Sequence, residues 1–184
     1  MTHEPQQLES KTIFGFWLYL LSDIILFGVF FVTYAILRKG TAGDLHAGQL
    51  IALPKALLET FLILASSFLC GLSKNRPLPF LAMSFLLGVL FFGLVTSDLL
   101  ELVQTGHGWG RSAFLSAYFL LLGVFLMHVA AALLWMLVLM ACILWHKSEM
   151  SIHRRLHCLQ MFCHFLNIVW VGIYSWIYLM GSVI

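Results

Sequence analysis

Residues 113–145 read AFLSAYFLLLGVFLMHVAAALLWMLVLMACILW. The stretch holds no Asp, Glu, Lys or Arg, and its single imidazole is His128. A helix needs about 20 mostly apolar residues to cross ~30 Å of hydrocarbon. This run therefore spans a membrane with length to spare, and it is expected to tilt or to project from the bilayer. Four further runs of the same kind accompany it, at about 13–37, 54–72, 79–103 and 161–183. Charges and helix breakers collect between the runs, in Arg38-Lys39-Gly40, Lys74-Asn75-Arg76-Pro77, Gly106 to Arg111, and His146 to Arg155. The fold class that follows is all-α, an integral membrane bundle of five transmembrane helices within one membrane domain, 1–184. Strands are disfavoured, because membrane barrels alternate polar and apolar residues and these runs do not.

Composition sets the same class. Hydrophobic residues make up 61% of the chain and charged residues only 10%, against about a quarter in soluble domains. No soluble surface can be built from so few charges. A net charge of +2 is too small to imply a nucleic-acid partner. Cys70, Cys142, Cys158 and Cys163 form no CxxC pair and lie in or beside apolar runs; they are expected to be free thiols, not a disulfide frame or a zinc site. Residues 1–12 carry one Lys against two Glu, a poor positive region for a signal peptide, so the first run is expected to be an uncleaved helix. Lys and Arg in short loops set orientation. Lys11, Lys74, Arg76, Lys147, Arg154 and Arg155 fall on one side, and Arg38, Lys39, Lys55 and Arg111 on the other. The excess favours a cytoplasmic N-terminus and a periplasmic C-terminus.

Ionisable groups inside a membrane are costly and need a partner or a purpose. The candidates are Asp23, Glu59, Asp98, Glu101, His128 and His164, with Asn167 beside the last. Helical phase places Glu59, Ser66, Ser67 and Cys70 on one face of the second run, and His164, Asn167, Ser175 and Tyr178 on one face of the fifth. Ala131 and Ala132 follow His128 by three and four residues. Small and weakly polar residues of this kind mark close helix contacts in membranes. The faces read as a buried polar seam that holds a bundle together; a proton or ion path along the same residues is the competing reading. Asp23 stands apart, with Phe16, Tyr19, Phe27 and Phe30 on its face. Only Tyr19 offers it a hydrogen bond locally, so its partner must come from another helix or a lipid head group.

Membrane haems often take two His at matching depth on facing helices. His128 lies at the centre of its run, but His164 lies about 7 residues, or roughly 10 Å, from the centre of its own. His107, His146, His153 and His157 sit in or next to loops and are expected to be solvated. No cofactor or metal site is expected on this chain.

A set of local sequences carries a likeness to a known family. Phe14 to Asp23 reads FGFWLYLLSD, Leu57 to Ser67 reads LLETFLILASS, and Arg111 to Ala117 reads RSAFLSA. His128-Val129 follows, then Cys163 to Trp170 (CHFLNIVW) and Tyr178 to Gly181. In this order, over nearly the whole chain, they resemble subunit III of the haem–copper terminal oxidases, nearest to the bo-type ubiquinol branch. The resemblance implies a non-catalytic subunit of a proton-pumping oxidase in a bacterial inner membrane. Haems, copper and quinol chemistry would reside in subunit I. Subunits II and IV and membrane phospholipids, held in an interhelical cleft, would be the other partners. Asp23 falls where many members carry a carbodiimide-reactive Glu, Glu101 at a recurrent acidic position, and His128 and His164 at recurrent histidines. Two positions depart from the family pattern: Phe125 stands where many members have His, and Asn167 where many have Asp. Both remove an ionisable group, which argues against proton conduction through this subunit itself. The rival function is a small transporter or channel using Asp23, Glu59 and His164. Transporters show inverted repeats and broken helices, and no repeat is visible here.

Overall fold

The structure is a computed structural model, and it describes residues 3–38, 40, 53–73, 77–145 and 149–179. Five helices follow one another: α1 His3–Leu37, α2 Leu53–Leu72, α3 Pro77–Gln104, α4 Ala113–Leu144 and α5 Glu149–Ile173. A π-helical stretch, Tyr174–Leu179, continues α5. All five are long and apolar enough to cross a membrane, and there is no strand among the described residues.

Local chemistry sets several helix ends. Pro54 and Pro77 lie in the first turns of α2 and α3, where an N–H has no intrahelical partner to lose. Just past the end of α3, Gly106 adopts φ 85°, a conformation open to glycine at little cost. The Ser112 hydroxyl caps α4 by accepting from the Leu115 N–H at 3.2 Å; such a cap contributes ~1 kcal/mol.

Helix α4 runs through the middle of the bundle. Its inner positions, among them Leu115, Leu122, Phe125, Val129, Met136 and Leu139, are buried. Helices α1, α3 and α5 pack on it, while α2 packs on α3 and α5. At Gly88 of α3 an added Cβ would stand 2.8 Å from Leu133 Cδ2 of α4, so any larger residue there must displace the Leu133 side chain. At Gly172 of α5 it would stand 3.2 Å from Phe31 Cζ of α1. The outer surface is apolar, with Ile25, Phe61, Phe68 and Ile168 exposed. Exposed Trp109 and Trp145 sit at the two ends of α4, where amphipathic rings meet the membrane–water boundary.

Two helix starts differ from the sequence expectation. Helix α1 begins at His3 instead of residue 13, and α5 at Glu149 instead of residue 161. In α5 the polar residues His153, Arg155 and His157 face outward, while Leu156, Leu159 and Cys163 are buried. An amphipathic turn interrupts an apolar run without interrupting a helix. Lys39, Lys74, Arg76, His146 and Lys147, and residues 180–184, lie outside the described residues.

Candidate functional site: polar contacts inside the helix bundle

Four polar contacts tie the helices together. The first joins α1 to α4. Asp23 and His128 are both buried, and His128 Nε2 lies 3.8 Å from Asp23 Oδ2. The other ring nitrogen, Nδ1, lies 2.8 Å from the Val124 carbonyl oxygen. A carbonyl only accepts, so Nδ1 carries the hydrogen, and Nε2 is the atom turned toward the acid. Phe27 covers the imidazole with its ring centroid 5.2 Å away. The imidazole is the polar group that another helix of this chain brings toward Asp23, while Tyr19 of α1 itself hydrogen-bonds the carboxyl; Asp23 Oδ2 has no hydrogen-bond partner among the described residues.

The second contact joins α2 to α3 by reciprocal bonds. Ser66 Oγ donates to the Ser84 carbonyl at 2.8 Å, and Ser84 Oγ donates to the Ser66 carbonyl at 2.7 Å. The third joins α2 to α5. Ser67 Oγ and His164 Nδ1 lie 3.1 Å apart, Gln160 Nε2 donates to the Cys70 carbonyl at 3.0 Å, and Trp170 Nε1 donates to Thr60 Oγ1 at 3.0 Å. The fourth lies near the ends of α2 and α3, where Lys55 Nζ is 2.7 Å from Asp98 Oδ1 and 3.8 Å from Glu101 Oε2.

The candidate residues thus divide among interfaces. Asp23 and His128 form one pair; Asp98 and Glu101 share Lys55. Glu59 is 2% exposed, lies beside Asp98, and its Oε1 has no hydrogen-bond partner among the described residues. The expected face of Glu59, Ser66, Ser67 and Cys70 is buried throughout. The expected face of the fifth helix is not: His164 and Ser175 are exposed and Asn167 is half-buried. His164 and Ser175, about 20° apart round the helix, share an exposed face, so the grouping by phase stands and it is the direction of that face that differs from expectation; the side chain of Tyr178 lies outside the described residues. Ala132 is buried but Ala131 is exposed.

Two sequence arguments about histidine are corrected. The membrane-length part of α5 is Ile152–Ile177, which puts His164 near its middle, at a depth similar to His128. The separation of the two imidazoles is one of direction. Phe162 faces His128, with ring centroids 6.4 Å apart, and His164 is two residues on, about 200° round the helix. His128 points into the α1–α4 interface and His164 toward α2, so they do not form a facing ligand pair and do not fit a haem. His153 and His157 belong to α5, not to a loop. Their HxxxH spacing was the signal for this, since it places both on one helix face. Among the described residues, no three His, Cys, Asp or Glu side chains converge.

Phe125 is fully buried against Phe91 and Trp170, with centroids 6.2 Å and 5.4 Å away. An aromatic cluster fills that place. Asn167 lines a cavity of about 30 Å³ with Ser66, Ser67 and Gly88, and its Oδ1 is buried without a hydrogen-bond partner.

Against this geometry stand the relatives. The chain is 42% identical to the cytochrome bo(3) ubiquinol oxidase subunit 3 of Pseudomonas aeruginosa, over 94% of this chain and 87% of that one. It is 39% identical to the protein of the same description from Buchnera aphidicola subsp. Baizongia pistaciae, over 95% of this chain and 94% of that one. The chain belongs to the oxidase subunit 3 family. A cytochrome c oxidase subunit 3 of Bacillus sp. (strain PS3) is 36% identical over 96% of this chain and 89% of that one. No family model matches the chain. As a family member with five membrane-length helices, it is a multi-pass membrane protein and a subunit of an oxidase.

Proposed function

We propose that this chain is the non-catalytic third subunit of a proton-pumping, bo-type ubiquinol oxidase in a bacterial inner membrane. It would pack beside subunit I, which would hold the haems and copper and reduce O2 to water, within a complex that includes subunits II and IV. Its work would be to stabilise the redox subunit during turnover and to hold phospholipids in a cleft between helices. The N-terminus would be cytoplasmic and the C-terminus periplasmic.

One observation carries this reading: the polar side chains within the bundle meet one another across helix interfaces. Asp23 meets His128, Ser66 meets Ser84, and Ser67 meets His164. Such contacts hold helices together. A proton path needs a chain of titratable or hydrated groups, and Phe125 and Asn167 lack the ionisable groups usual at their positions in the family. Relatives described as quinol oxidase subunits at 42% and 39% identity support the quinol donor. The test compares the complete complex with one assembled without this chain, following oxygen consumption over many turnovers and bound lipid by mass spectrometry. A normal initial rate, followed by early inactivation and lipid loss, is the expected result. A complex lacking the chain that keeps native lipid and native endurance would refute the stabilising role.

A further inference from the structure

The first half of the outer face of α5 is polar, where the exposed faces of the other helices are mostly apolar. His153, His157 and His164 are all exposed. At 100° per residue they fall within about 40° of one another, so they form one stripe. It runs ~16 Å along the helix, at 1.5 Å per residue, from the start of Ile152–Ile177 to its middle. Beyond it the same face becomes apolar, with Ile168 and Val171 exposed. By contrast, the exposed face of α1 carries Leu21, Ile25, Val29, Val32 and Ile36.

Lipid chains offer imidazole no hydrogen bond, and polar side chains at membrane depth face protein or a water-filled cavity. A head group does not reach His164 either. The hydrocarbon half-thickness is ~15 Å, and imidazole lacks the long stem with which Lys and Arg reach the interface. Nor is the ring satisfied within the bundle. Nδ1 meets Ser67, and Nε2 lies near Gly71, 3.9 Å from where a Cβ would stand, a position that offers no side-chain partner.

We infer that the α5 stripe is an interface for another subunit, formed with a transmembrane helix that carries hydrogen-bonding side chains, carboxylate or hydroxyl, at the depths of His157 and His164. This rests on the reading of the chain as one subunit of an oxidase. His164 is the central contact: Ser67 fixes the ring through Nδ1, and Nε2 meets the partner. Ile168, 73% exposed one turn further on, packs against the same partner helix.

A photo-reactive benzoylphenylalanine at Ile168 tests the contact in the complex purified in mild detergent. The haem spectrum of the preparation is read first. If the tagged chain elutes without a haem protein, the oxidase reading fails, and the interface fails with it. If haem protein is present, irradiation should give one discrete adduct between this chain and another subunit. Adducts only with lipid, or with a second copy of this chain, would overturn the proposal.

A variant series supplies an independent readout, the fraction of this chain kept in the complex at rising detergent. His164→Leu should lower retention at least tenfold, and His164→Gln, which both donates and accepts, should restore most of it. Ser67→Ala removes the internal bond but leaves Nε2 in place, and should keep retention within threefold of native. If His164→Leu is retained as well as native, the face meets lipid and the proposal is wrong.

Discussion

Replacing Asp23 separates a structural contact from a proton relay. Its carboxyl faces His128 Nε2 at 3.8 Å, and Nδ1 of that ring is already committed to the Val124 carbonyl at 2.8 Å. Both residues are 7% exposed. Asp23→Leu removes both oxygens and leaves Nε2 facing hydrocarbon. An unpaired buried polar group costs about 1–3 kcal/mol, and polar contacts in membranes average nearer ~0.6 kcal/mol because the separated state also finds partners. About 1–2 kcal/mol is therefore expected, a factor of roughly 5–30 in the folded population. Asp23→Asn keeps the shape and presents an amide N–H to Nε2, so its cost should stay within ~0.5 kcal/mol. The assay heats the purified complex stepwise and measures both the fraction of this chain retained and the oxygen consumed over many turnovers. Asp23→Asn should match native in both, while Asp23→Leu should lose subunit and inactivate early. Retention of Asp23→Leu equal to native would refute the pair as a stabilising contact. A tenfold lower initial rate in Asp23→Asn, at full subunit and lipid content, would refute the structural role and make Asp23 a proton relay.

Further substitutions probe the other interfaces. Gly88→Val drives a methyl toward Leu133 Cδ2, where even a Cβ would stand at 2.8 Å; overpacking of this kind costs about 1–3 kcal/mol, and the midpoint of thermal aggregation in detergent should fall, while Gly93→Ala, at a site with open space, should leave it unchanged. Ser84→Val removes the bond from Ser84 Oγ to the Ser66 carbonyl and leaves the one from Ser66 Oγ to the Ser84 carbonyl; it should destabilise by about 0.6 kcal/mol, read by the same melt. Lys55→Met breaks a half-exposed ion pair with Asp98; the loss should stay under about 1 kcal/mol and should shrink further in high salt.

The five helices were legible because hydrocarbon thickness imposes a minimum run of apolar residues, and every run met it. The start of α5 was not legible by that rule. His153, Arg154, Arg155 and His157 break the apolar run, yet Leu156 and Leu159 keep the inner face continuous. A helical period carries that information where mean hydropathy does not. The buried face of Glu59, Ser66, Ser67 and Cys70 followed from phase alone, since α2 is regular throughout. The corresponding argument for α5 failed at its first residue, His164, which is exposed: phase groups residues on one face but does not say whether that face turns toward the bundle. Pairings between helices, such as Asp23 with His128, were beyond reach of the sequence. Period identifies which face is buried, but the neighbour is set by how α1 and α4 cross.

The central claim is that this chain is one subunit of a haem-containing oxidase, and purification tests it most directly. A tagged chain extracted from native membranes in mild detergent should elute with a larger haem protein. The preparation should show a reduced-minus-oxidised haem spectrum and consume oxygen when supplied with ubiquinol. A chain that elutes alone at every detergent strength, with no haem band and no quinol-driven oxygen uptake, would contradict the account.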